Sequence, residues 1–227
     1  MQQIIVLDAP SNLGLFPSGV EQLPTALKSA GLMTRLNAAY AGRIVPPPFS
    51  EVRDPVTTIR NDAAVQAYNL EGLRPLARDS DIVVFGYRDH AEQQTPGNRD
   101  IHDTSIRAFD ITQARTPTFS AAVQTAVAHI DRPDLDGIWI HLDADALDDA
   151  IMPAVDYRIP GGLAWDEVSA LLRTVIATGK VVGLTVTIFN PLLDTDGSIA
   201  ARFADCIVQG DQPGIGYAAS AAARSPA

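Results

Sequence analysis

Cysteine is nearly absent from this 227-residue chain. The single thiol, Cys206, allows no intrachain disulfide, and a site built on several thiolates is excluded. Cys206 sits in an apolar, helix-patterned segment and reads as a buried, inert thiol. Basic residues are in the minority, 17 against 27 acidic, for a net charge of −10. That excludes the basic footprint on which non-specific nucleic acid binding depends. No apolar run reaches the ~18 residues that cross a bilayer, so no membrane partner is expected. The start, "MQQIIVLDAP", lacks the charged flank and long apolar stretch of a signal peptide, and a cytoplasmic location is expected. Histidine is scarce too, with four residues in all.

Apolar residues are plentiful at 46%, enough for a sizeable core. Short β-rich runs alternate with longer helical patterns. Strands are expected in 4–10, 81–89, 105–111, 137–145 and 181–191, and a further strand start at 43–51 is cut short by three prolines. Helices are expected over 21–32, 61–72, 121–130, 165–179 and 198–208. The alternation predicts an α/β fold, three-layer α-β-α with a mostly parallel sheet. No composition break divides 1–227, so one domain is expected, with 217–227 a flexible tail. Trp139 in its strand and Trp165 near a helix start read as packing residues.

The stretch "HLDADALDD" (141–149) follows the most apolar strand. In open parallel sheets ligands bind beyond the carboxyl ends of strands, and Asp143 and Asp145 fall at such an end. Spaced i and i+2, they would share one face of the strand. Two close carboxylates repel unless a cation relieves them, and oxygen donors suit Mn²⁺ or Mg²⁺. The plain alternative is a pair of solvated or capping loop carboxylates.

The wider segment "HLDADALDDAIMPAVDYRIPGGLAWDE" (141–167) resembles the last signature of the arginase/agmatinase (ureohydrolase) family. Asp143, Asp145, Asp148, Pro153, Gly161 and Gly162 fall in register with it. "GLTVTIFNP" (183–191), "FGYRD" (85–89) and "APSNLGLFPSGVEQLPTALKSAGL" (9–32) resemble further parts of the family. The resemblance implies an arginase-like fold, with manganese as cofactor and Asp143 and Asp145 among its ligands. It also implies a small guanidino compound as substrate and a homo-oligomer.

Half of the family's ligand set has no counterpart. The Gly-Gly-Asp-His/Cys-Ser and Asp-x-His-x-Asp segments are absent, and about two βα units are missing near residues 64–70, leaving fewer strands than the family has. Carboxylates that the family carries before Asn-Pro are replaced by Thr185, Val186, Thr187 and Ile188. Substrate-side acidic positions after "GYRD" read Ala91 and Gln94, with Glu92 out of register. His141 shares the face of Asp143 and is a possible additional ligand. His102 reads as a loop histidine, His129 as a helix-end histidine, and His90 follows a strand end. Asp89 reads as a cap or a surface partner of Arg88.

Three readings follow. The chain has the ureohydrolase fold with an incomplete binuclear site and impaired or no catalysis. Alternatively, it is an active Mn-dependent amidinohydrolase, converting arginine, agmatine or a related guanidino compound to urea and an amine, with ligands drawn from His141, Asp89 or Asp110. Or it is an internally deleted variant with no function of its own.

Overall fold

The computed structural model describes residues 3–10, 19–44, 78–89 and 100–212. The expected helix at 61–72, the prolines after residue 45, His90, residues 91–94 and the tail at 217–227 lie outside these ranges. Six strands are described: β1 (Ile5–Asp8), β2 (Ala39–Arg43), β3 (Val83–Tyr87), β4 (Arg107–Asp110), β5 (Ile138–Asp143) and β6 (Val181–Thr187). They form three parallel pairs, β1–β2, β3–β4 and β5–β6. Parallel pairing requires crossover connections; among the described residues, helices Leu23–Ser29 and Leu32–Arg35 lie between β1 and β2, and Trp165–Ile176 lies between β5 and β6. The expected α/β class is what the chain adopts. The strand expected from residue 43 instead ends there, because β2 uses the preceding "AYAGR".

The described helices are α1 (Leu23–Ser29), α2 (Leu32–Arg35), α3 (Ile111–Ala114), α4 (Phe119–Ile130), α5 (Trp165–Ile176) and α6 (Ser198–Asp211). Their ends are set by local chemistry. Gly31, at φ +82°, ends the first helical run as glycine does best. Thr118 caps α4 by accepting the Ala121 N–H, and Glu167 accepts the Ala164 N–H at the start of α5. Buried Asp194 accepts from Ile199 and Ala200, capping α6.

Helices α5 and α6 pack together, and the core joins Val168 and Leu172 of α5 to Phe203 and Ile207 of α6. Leu23 and Leu27 of α1 and Leu142 of β5 complete it. Trp165 stacks near Phe203, at 6.0 Å between rings, as expected of a packing residue. Cys206 is buried beside Ser169, whose hydroxyl lies 3.2 Å from its sulfur. Burial pushes this thiol up to about 11, so it is no nucleophile. A smaller core joins Phe109 of β4 to Ala122 and Ala126 of α4.

Trp139 corrects the expectation made for it. Its strand is apolar, yet the residue is 65% exposed. The ring lies across Gly183 of β6, where a Cβ would come within 2.3 Å of it. The indole N–H donates to Thr185 Oγ1 at 2.9 Å. One face of the β5–β6 pair therefore packs into the core through Ile140, Leu142, Leu184 and Val186, while the Trp139 face stands open. Among the described residues no helix is long and apolar enough to cross a membrane.

Candidate functional site

The open face of β5–β6 carries the candidate residues. Alternation along β5 puts Trp139, His141 and Asp143 on that face. The parallel register sets them against Gly183, Thr185 and Thr187, with Asp143 opposite Thr187. The Thr187 hydroxyl donates to Asp143 Oδ1. His141 Nε2 lies 3.2 Å from the same oxygen and 3.4 Å from Thr187 Oγ1. Partial burial pushes the Asp143 carboxyl up, but the hydrogen bonds from His141 and Thr187 outweigh it and hold the group below its ordinary range. His141 moves the other way, its pKa raised chiefly by the hydrogen bond to Asp143.

Asp145 is not on the strand. β5 stops at Asp143, and Ala144–Ala146 forms a 3-10 turn, so strand alternation does not align the two carboxylates. They are nonetheless coupled. Burial, and then the Asp143 charge, push Asp145 up to about 6, against a smaller opposing pull from Arg88.

Arg88, at the end of β3, crosses to this loop. Its guanidinium donates to the carbonyls of Asp145 at 2.7 Å, Leu147 at 3.1 Å and Ile159 at 2.6 Å. It thus ties the end of β3 to the backbone of the acidic loop. Asp148 accepts from Ala150 N–H at 2.9 Å and Gly161 N–H at 2.5 Å, which keep its carboxyl below the ordinary range, the Ala150 contact most of all. It closes the loop rather than facing Asp143. Buried Asn190 donates to Asp156 at 2.7 Å and caps Leu192 N–H, a structural use of the Asn-Pro pair.

The remaining candidates are dispersed. His102 sits in an exposed turn, 3.2 Å from the Tyr87 hydroxyl. His129 ends α4, its Nε2 2.9 Å from the Ser80 carbonyl. Asp110 caps α3 by accepting the Gln113 N–H at 2.7 Å. Thr187 and Arg88 are the site residues that sequence reasoning passed over. Thr187 shows a signal in hindsight, since Thr185 and Thr187 alternate with apolar Leu184 and Val186.

Asp143, Asp145 and His141 offer hard oxygen and imidazole donors that suit a divalent cation in kind. In number they fall short. Among the described residues, no group of three or more His, Cys, Asp or Glu side chains is suited to hold a metal ion. Two manganese ions do not fit this donor set.

A carboxylate raised by burial and an uncompensated neighbour weighs against the folded state. Folded Asp145 holds its proton up to about pH 6, whereas its ordinary value is 3.8. This contribution is neutral below about pH 4, grows unfavourable as pH rises from about 4 to about 6, and is constant at its full size above that. Asp145→Asn is expected to stabilise the chain at pH 7.5 by about 1–2 kcal/mol, allowing for partial solvent screening. The gain should vanish near pH 4, and urea unfolding at both pH values checks it. A destabilised variant at pH 7.5 would contradict the argument.

The parallel pairs, their crossover helices and a carboxylate-bearing turn at a strand end define an α/β protein of the kind that places its site beyond strand carboxyl ends. The sequence assigns it more closely. Residues 51–210 match the profile of the Arginase family, and the chain belongs to that family as an arginase/ureohydrolase-type protein. It is 31% identical to an arginase of Schizosaccharomyces pombe over 93 residues, 41% of this chain and 29% of that one. It is 26% identical to an arginase of Staphylococcus aureus over 127 residues, 55% of this chain and 40% of that one. The matched stretches thus span less than half the length of these relatives. The solved arginase of Bacillus caldovelox shares the fold, with a TM-score of 0.75 at 15% identity over 95% of this chain and 100% of that one.

Proposed function

We propose that this chain keeps the ureohydrolase fold without its catalysis, and that its acidic strand end holds at most one divalent cation, weakly, at Asp143 and Asp145. The donor set carries the reading. Attack on a guanidinium carbon at neutral pH needs a metal-activated hydroxide, for which this family uses two bridged manganese ions. Two carboxylates leave most coordination positions to water, and His141 is engaged with one of them, its Nε2 3.2 Å from Asp143 Oδ1. Neither the Gly-Gly-Asp-His/Cys-Ser nor the Asp-x-His-x-Asp segment is present to supply the rest. At the positions before Asn-Pro, Thr185, Thr187 and Ile188 bring no charge to hold a planar cation. A cytoplasmic setting, self-association and a binding rather than hydrolytic role complete the reading.

Elemental analysis tests it. After incubation with Mn²⁺ and desalting, less than one equivalent per chain is expected, with no urea released from arginine or agmatine. Two retained equivalents together with urea release would replace this reading with that of an active manganese amidinohydrolase.

A further inference from the structure

The mismatch between the family's metal and this chain's donors has a local counterpart. Asp143, the carboxylate that ends β5, is engaged from two sides on its own face. Thr187 donates a hydroxyl hydrogen to Oδ1, and His141 places Nε2 3.2 Å from that same oxygen. Thr187 stands directly opposite Asp143 in the parallel register, and His141 is two residues back on the same strand. Strand pairing delivers Thr187, and alternation along β5 delivers His141.

Resting on the reading above, we infer that Thr187 and His141 take the place of the missing cation, holding Asp143 in a metal-free, hydrogen-bonded state against which any divalent ion must compete. The chemistry requires some such device. A half-buried carboxylate at a strand end needs a positive or donor partner once its cation is gone. A β-branched hydroxyl residue and an imidazole meet that need without breaking the sheet, because threonine favours strands. Asp145 has no comparable partner among the hydrogen bonds described and bears the repulsion, which fits a site rebuilt around one carboxylate and not around a pair. The opposite possibility, that the two donors orient Asp143 for a metal, predicts the reverse outcome in the same experiment.

The test uses the full chain and Mn²⁺ alone. Calorimetric titration is run on the wild type, Thr187→Val, His141→Ala and the double variant, with melting temperatures taken in metal-free buffer. Thr187→Val is nearly isosteric and keeps the β-branch, so the fold is retained. Thr187→Ser keeps the hydroxyl and serves as the conservative control. Thr187→Val is expected to melt lower without metal and to bind Mn²⁺ about tenfold more tightly, as for loss of one hydrogen bond to a charged acceptor. The double variant should gain more, and Thr187→Ser should match the wild type. Adding Asp143→Asn to Thr187→Val should erase the gain. Unchanged or weaker Mn²⁺ binding by Thr187→Val would overturn the inference while leaving the non-catalytic reading standing. Tight binding of two ions by the wild type would instead overturn that reading, whatever the variants do.

Discussion

Arg88→Met is expected to lower the unfolding free energy by about 2–4 kcal/mol. The guanidinium sits between three carbonyls of the acidic loop region, at 2.7 Å from Asp145, 3.1 Å from Leu147 and 2.6 Å from Ile159. A second contact to Ile159 through Nε, at 3.1 Å, fixes the plane of the fork. Hydrogen bonds from a charged donor contribute more than neutral ones, and carbonyls left without a donor keep their desolvation cost. Leu147 is almost wholly buried, so water does not readily replace the lost donor there. Methionine retains most of the aliphatic bulk, which isolates the polar loss from a cavity effect. Arg88→Lys should recover little, since an ammonium lacks the planar fork that spans separate acceptors. Urea unfolding with an unchanged slope reads the difference directly. A loss below about 0.5 kcal/mol, the range of ordinary surface changes, would show that the loop holds itself without Arg88.

That contact marks where sequence reading stops. Strand β5 and its closing aspartate were legible, because an apolar run followed by Asp-x-Asp signals a strand leading into a polar end. The helices at 165–176 and 198–211 were legible for a similar reason, as their apolar spacing follows one helical face. Trp139 was not, because an apolar strand residue looks the same whichever side of the sheet is covered. Its exposure depends on Gly183 lying opposite in the paired strand, and on which layers pack over that face. The position of Asp145 was misjudged by one step of local geometry, since the strand ended at Asp143 and a 3-10 turn followed. Thr187 and Arg88 escaped because each acts on a residue 44 or more positions away. Such contacts exist only once the strands are placed, and no spacing rule encodes them. The family signature located the loop but could not say that Asp148 would be spent on Ala150 and Gly161.

Gly162→Ala should cost about 2–3 kcal/mol, the upper part of the range for forcing an extra carbon into a packed site. A Cβ at residue 162 would stand 2.5 Å from the carbonyl carbon and oxygen of Leu147 and 2.6 Å from the nitrogen of Asp148. These are backbone atoms of the acidic loop, so no rotamer change relieves the contact. The two segments are also bonded on either side of the clash. Leu163 N–H donates to the Ala146 carbonyl at 2.9 Å, and Asp148 N–H donates to the Leu163 carbonyl at 3.0 Å. Separating the chains enough to admit a methyl group therefore strains or breaks that bridge and moves the loop that carries Asp145. Gly161 is the internal comparison. Its φ is +82° but nothing lies within 4 Å of its Cβ position, so Gly161→Ala should cost only the backbone strain, about 1 kcal/mol. Paired urea denaturation of the two variants distinguishes close approach from conformational preference as the reason for the Gly-Gly pair. If Gly161→Ala proves the costlier change, the left-handed turn fixes this loop more firmly than its packing against Leu147 does, and the geometry of the strand end has to be traced to that turn instead.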